Sequence, residues 1–211
     1  MLIRVCEIFT SIQGESTHAG LPCTFIRLTG CNLRCQYCDT TYAYEGGEDY
    51  TIGSLVDEAV RAGAEMVEVT GGEPLLQEET PALVKALLDK GVFKWVLVET
   101  NGSRDISVLD PRAIVIMDIK TPGSGEAGSF DLKNLDLLKP SDEVKFVLTS
   151  REDYEWARSF IEEHDTLLDR EVLFSPAFGV LDPEALAGWI LEDGLAGVRI
   201  NLQLHKYLKL P

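Results

Sequence analysis

The sequence predicts an α/β protein built as a partial, open β/α barrel. Short apolar runs alternate with amphipathic segments along most of the chain. Alternation of that kind implies parallel strands joined by right-handed crossovers. A closed eight-fold barrel usually takes about 250 residues, and this chain has 211. Functional residues should then gather at the C-terminal ends of the strands.

The strand-like runs are CTFIRLT (23–29), AEMVEVT (64–70), FKWVLVET (93–100), AIVIMD (113–118), EVKFVLT (143–149), EVLFS (171–175) and GVRINL (197–202). Between them, TIGSLVDEAVRAG reads as a helix with Ser54 as N-cap and Asp57 three residues on. TPALVKALLDKG reads as a second, stopped by Gly91. DYEWARSFIEEH is a third, and DPEALAGWILEDG begins with Asp182 and Pro183 in the order that favours helix entry.

Composition narrows the function. There are 9 prolines, no Ser/Gly tract and no fixed-period repeat, so one domain spanning 1–211 is expected. The N-terminus lacks a signal-peptide apolar run, and no segment approaches the ~20 apolar residues of a membrane span. A cytoplasmic protein, not bound to membrane, is expected. Its formal net charge of −16 repels phosphate backbones and argues against direct nucleic-acid binding. In a reducing compartment, clustered cysteines point to metal or redox chemistry before disulfides.

Three of the 5 cysteines, Cys31, Cys35 and Cys38, fall in the stretch GCNLRCQYCDT that follows the strand CTFIRLT. A loop can wrap three thiolates around one inorganic object, and thiolates select zinc or iron–sulfur clusters. Structural zinc wants four ligands, and Cys23 is near enough in sequence to be the fourth. Cys23 lies inside an apolar strand pattern, however, where a single cysteine is more often a small buried hydrophobe. Three ligands on a cubane would leave one iron open.

C-x3-C-x2-C, with the aromatic Tyr37 before the third cysteine, resembles the signature of the radical S-adenosylmethionine (SAM) superfamily. The second motif, TGGEP (70–74), stands directly after a strand, where two glycines allow close backbone approach to a ligand. The resemblance implies a barrel of the radical SAM type with a 4Fe–4S cluster on the three cysteines. It also implies SAM bound to the open iron and cleaved to a 5′-deoxyadenosyl radical. EIFTSIQGES, FIRLTGCNLRCQYCDT, VTGGEP, VETNG and LQLHK together resemble the 7-carboxy-7-deazaguanine synthase family of queuosine and deazapurine biosynthesis. That implies conversion of 6-carboxy-tetrahydropterin with ring contraction, loss of ammonia, magnesium, a homodimer and a flavodoxin or ferredoxin as reductant.

Site residues follow position by position. Ile12, Gln13, Gly14 and Glu15 would line the substrate site, Glu15 and His205 as catalytic residues. Arg27, set in an apolar strand, needs an anionic partner; the substrate carboxylate suits its fork, and Glu7 or Glu99 are structural alternatives. The resemblance assigns magnesium to Thr40 and substrate contact to Thr70. It assigns SAM contacts to Tyr37, Cys38, Asp39 and Gly72, and further ones to Asp118, Ile119, Lys120 and Ser175. Ser16 stands where the family usually has glycine, which puts the loop conformation in question. The tail NLQLHKYLKLP alternates Leu202, Leu204, Leu208 and Leu210 with polar residues, which predicts packing back against the barrel. His205 and the terminal carboxylate of Pro211 would then reach the substrate. The rivals are a glycyl-radical activase, which shares the cysteine spacing, and a non-catalytic zinc or iron–sulfur module.

Overall fold

The period-two pattern of the apolar runs becomes one nine-stranded sheet. The computed structural model describes residues 1–211, the whole of the given sequence. In chain order the elements are β1 (Leu2–Ile12), β2 (Pro22–Leu28), β3 (Glu48–Thr51), α1 (Ile52–Ala62), β4 (Met66–Gly71), α2 (Thr80–Asp89) and β5 (Trp95–Thr100). There follow β6 (Ile114–Asp118), α3 (Asn134–Leu137), β7 (Glu143–Leu148), α4 (Arg151–Glu163), β8 (Glu171–Pro176), α5 (Pro183–Glu192), β9 (Val198–Ile200) and α6 (Leu204–Leu208). The sheet order is β3-β1-β2-β4-β5-β6-β7-β8-β9, with two free edges, so the barrel is partial as expected. From β2 to β9 every pairing is parallel, while β1 pairs antiparallel with both β2 and β3.

Each parallel strand sorts its side chains by face. Ile26 and Leu28, Val67 and Val69, Val96 and Val98, Val115 and Met117, Val144 and Phe146 point outward into the main core. Helices α1, α2, α4 and α5 cover that face with Leu55, Leu83, Tyr154 and Leu186, among others. The opposite face lines the barrel interior. Its lower part is a small apolar plug of Cys23, Phe25, Met66, Leu97 and Ile116. Cys23 is fully buried there, which fits the hydrophobe reading.

Two strands have no counterpart in the sequence-based reading. β3 is four residues, EDYT, mostly exposed, and is a strand because β1 offers it an edge. β1 carries a register shift between Val5 and Glu7. One extra residue in a strand reverses which face the following side chains take. Ile3 and Val5 therefore point into the main core, whereas Glu7 and Phe9 come opposite Arg27 and Phe25 on the interior face. Phe9 stacks on Phe25 at 4.9 Å.

Helix ends show one correction. The N-cap of α1 is Thr51, whose hydroxyl accepts the Ser54 N–H at 3.1 Å, so Ser54 sits inside the first turn. Asp182 caps α5 with Pro183 behind it, as the sequence indicates. Gly91 follows α2 with φ +69°, a left-handed stop. No helix is long and apolar enough to cross a membrane. Since Thr51 is the cap, Thr51→Ala should lower stability by about 1 kcal/mol in urea unfolding. Ser54→Ala should cost clearly less; the reverse order would return the cap to Ser54.

Candidate active site

Above the apolar plug, the interior face turns polar. Arg27 of β2, Glu68 and Thr70 of β4, Glu99 of β5, Asp118 of β6, Lys145 of β7 and Ser175 of β8 all line one cavity of about 510 Å³. That volume lies in the range of small-molecule sites, roughly 300–1,000 Å³. Cys31, Cys35, Tyr37, Cys38 and Gly72 border the same cavity, as do Ile12, Gln13, Gly14, Glu15, Asp39, Thr40, His205 and Pro211. Ile119 is the exception among the expected site residues. Its side chain is in the main core, because it alternates with Asp118 and Lys120, and its N–H is given to the Lys145 carbonyl.

The cavity's charges are paired around Lys145. Its ammonium donates to Glu15 at 2.8 Å and to Glu99, and stands 3.8 Å from Asp118. Burial would lower this ammonium, but Glu15, Glu99 and Asp118 outweigh burial and hold it well above its ordinary value. Glu99, which burial would push up, is pulled down by the same ammonium. Lys120 donates to Asp118 Oδ2, the same oxygen that Lys145 approaches, at 2.7 Å and lies 5.9 Å from the Tyr37 ring. Deeper in, the Glu68 carboxyl is bonded by the Gln13 amide and raised well above the usual carboxylate range, by burial first and the Glu99 charge second. Arg27 uses only its Nε, on Glu7 at 2.7 Å, which realises the structural alternative for that residue. The Tyr42 hydroxyl shares that carboxylate oxygen at 2.8 Å. The outer nitrogens of Arg27 have no protein partner, and the residue borders the cavity.

Loop 13–21 between β1 and β2 enters the barrel from below. Gln13, Glu15 and Thr17 bond in turn to Glu68, Lys145 and Glu143, tying β4 to β7 across the interior. Ser16 has φ +63°, in the left-handed region. A glycine is at ease there and a serine is strained by about 1 kcal/mol. Gly14 is required by contact: a Cβ would lie 2.0 Å from His205 Nδ1.

The tail does return to the site, and leucine packing accounts for only part of this, since Leu202 and Leu204 are half-buried. Leu208 and Leu210 are exposed. The bonds are polar: Asn201 Nδ2 to Ser175 at 2.7 Å, Gln203 to Glu15 at 2.9 Å, Leu204 N–H to the Gly14 carbonyl at 2.9 Å and Lys206 to Asp39 at 2.8 Å. Asp39 also accepts from the Thr40 hydroxyl at 2.9 Å. Burial lowers His205 below its ordinary value.

At the strand tops, Gly72 brings two loops together: a Cβ on it would meet the Gly30 carbonyl at 2.3 Å and the Cys31 Cβ at 2.6 Å. Glu73 is occupied by the chain itself, accepting from Thr100, Asn101 and Leu75 at 2.8, 2.7 and 2.9 Å. Backbone is thus what this stretch offers the cavity. Burial pushes the Cys35 thiol up to about 11 and raises Cys31 as well. No three His, Cys, Asp or Glu side chains are placed to hold a metal ion as the chain stands; the ligands of a cubane bind separate irons. The donor set fits such a cluster. The Tyr37 hydroxyl and Asp118 Oδ1 are buried without partners beside it, as a polar ligand in the cavity would require.

This arrangement of thiols and glycines over a polar barrel interior is that of radical SAM enzymes, and the Radical SAM superfamily model matches residues 25–122. Along nearly its whole length the chain is similar to two curated relatives named 7-carboxy-7-deazaguanine synthase. It is 43% identical to that of Koribacter versatilis, over 99% of this chain and 98% of the relative. It is 47% identical to that of Chlorobaculum tepidum, over 98% and 94%. The fold matches the crystal structure of QueE from Escherichia coli with a TM-score of 0.80 at 22% identity, covering 97% of this chain and 95% of the other. The chain belongs to the 7-carboxy-7-deazaguanine synthase family. Membership implies a 4Fe–4S cluster and SAM.

The sequence-based reading passed over Glu68 and Lys145 and met Glu99 as a partner for Arg27 and within the stretch VETNG. Their signal is a charged residue at an alternate position inside an apolar strand. Glu68 also sets a pH dependence. Above the ordinary carboxylate pKa the unfolded chain has released a proton that folded Glu68 keeps, so stability falls as pH rises through that window. Glu68→Gln should remove the effect and be more stable than the parent at about pH 8, with less difference at about pH 5. Equal losses of stability in parent and variant over that range would contradict the assignment.

Proposed function

We propose that the protein converts 6-carboxy-tetrahydropterin to 7-carboxy-7-deazaguanine, with ring contraction and loss of ammonia, as one domain spanning 1–211. The observation that carries this is the shared cavity: the three thiols, the glycine backbone and the polar ring open onto one space. When bound, the cluster and SAM supply a 5′-deoxyadenosyl radical, and a flavodoxin or ferredoxin supplies the electron. Cys31, Cys35 and Cys38 would hold the cluster. Tyr37, Cys38, Asp39, Gly72, Asp118, Lys120 and Ser175 would hold SAM. The reading also includes magnesium and a homodimer.

The chain's own residues bind and orient the substrate. Gln13, held by Glu68, and Thr70, whose hydroxyl donates to Glu99 at 3.2 Å, would flank a pterin edge, and Ile12, Gly14 and Pro211 bound the space. The free outer nitrogens of Arg27 suit a carboxylate, and the Arg27–Glu7 bond through Nε aims them. Glu15, bonded by Lys145, and His205, lowered by burial, are the groups placed to accept or pass protons. Thr40 carries a hard oxygen beside Asp39, which suits magnesium.

Anaerobic turnover with 6-carboxy-tetrahydropterin, SAM, magnesium and reductant, with the product identified by mass, tests the reading. Release of 7-carboxy-7-deazaguanine is expected; SAM cleavage without it would leave a radical SAM enzyme of another substrate. Ala at Cys31, Cys35 or Cys38 should abolish SAM cleavage and iron loading, whereas Cys6→Ala and Cys23→Ala should load iron like the parent. Thr40→Val should lose the stimulation by magnesium with the cluster spectrum intact. Equal stimulation would remove Thr40 from the metal.

A further inference from the structure

The cysteine loop rests on a second loop, residues 121–126 after β6. The Gln36 N–H donates to the Ser124 carbonyl at 2.9 Å, and the Arg34 N–H to Glu126 Oε1 at 2.7 Å. These two backbone donors lie between the first and third cysteines, so the supporting loop decides which way that backbone faces. A Cβ on Gly125 would come within 3.2 Å of the Gln36 side chain, so the two loops are in close contact.

The supporting loop is in turn held by one carboxylate outside the cavity. Asp153 is buried at the start of α4, where an acid ordinarily serves the helix's own first N–H groups. Its oxygens are spent elsewhere. Oδ1 accepts the Gly123 N–H at 2.7 Å, and Oδ2 accepts the Thr149 N–H at 2.8 Å and its hydroxyl at 2.7 Å. A Cβ on Gly123 would lie 2.2 Å from the Thr149 hydroxyl oxygen and 2.4 Å from Asp153 Oδ2, so the turn presses directly on this pair. Within the turn, the Ser124 hydroxyl bonds the Thr121 carbonyl at 2.6 Å and receives the Glu126 N–H at 3.0 Å. The end of β7, the start of α4 and the turn after β6 thus meet at one buried charge.

We propose that Asp153 is a positioning residue for the cysteine loop, acting through Gly123, Ser124 and Gln36. It touches neither cysteine nor cavity, and it sets the backbone on which Cys35 and Cys38 stand. The same turn follows Asp118 and Lys120, so the carboxylate fixes the two strand-end groups of the SAM site in register with the cysteines. The proposal rests on the reading that those cysteines carry a cluster, but its first measurement does not need one.

That measurement is hydrogen exchange on iron-free protein, comparing the parent with Asp153→Asn and Asp153→Ala. Asn keeps one acceptor oxygen and turns a donor toward the others; Ala removes all three bonds. Exchange in peptides covering 33–38 and 121–126 should rise about tenfold in both variants, while peptides of β4 and β5 stay as in the parent. After anaerobic reconstitution, the variants should lose iron to a chelator faster, and the spectrum of the reduced cluster should respond differently to SAM. Should Asp153→Ala not fold, Thr149→Val, which deletes one of the three bonds, should give the same pattern at smaller amplitude. Unchanged exchange at 33–38 in a folded variant, or an equal rise in every segment, would overturn the proposal. Failure of the parent itself to load iron would instead count against the cluster, and the exchange comparison would still decide the role of Asp153.

Discussion

The buried ammonium of Lys145 is the constraint on which the rest of the barrel depends. It joins Glu15 of the plugging loop, Glu99 of β5 and Asp118 of β6 through one charge on β7. Three strands and one loop bring charged groups into a space that water alone would otherwise have to serve. Leaving one member of a buried ion group without its partner costs about 3–5 kcal/mol. The cation therefore converts a set of costs into a rigid, polar wall. The outward face of the same strands contributes the stability that makes this affordable, with valines and isoleucines packed under the helices.

From that wall the site's remaining parts follow. Loop 13–21 enters because Glu15 has a cation to reach, and Gln13 then meets Glu68. The tail follows because Gln203 finds the second oxygen of Glu15 and the Leu204 N–H finds the Gly14 carbonyl. His205 can approach only because residue 14 has no side chain. Each contact depends on the one before it. The cysteine loop is seated on Gly72 on one side and on residues 121–126 on the other, and its end meets the tail where Lys206 bonds Asp39.

The parallel part of the fold was legible because strands covered on one face by helices must show runs of Val, Ile and Leu. β1 and β3 were not. β1 changes face at a bulge, so its pattern has no single period, and β3 owes its form to pairing alone. The cysteines and glycines were legible because their chemistry fixes residue type and spacing together. Glu68, Glu99 and Lys145 belong to three separate strands, and only the register of the sheet shows that they share a cavity. The tail's return was readable, but its cause was not: hydrogen-bond partners such as Gly14 and Glu15 lie almost the whole chain away.

The role of Lys145 is tested most directly by hydrogen exchange in Lys145→Met, with Lys145→Arg as the charge-keeping control. Loss of the ammonium should release loop 13–21 and the 201–206 segment together, so both should exchange at least about tenfold faster, while the arginine variant and the cysteine loop stay near the parent. A folded Lys145→Met protein whose residues 13–18 remain as protected as in the parent would contradict the account.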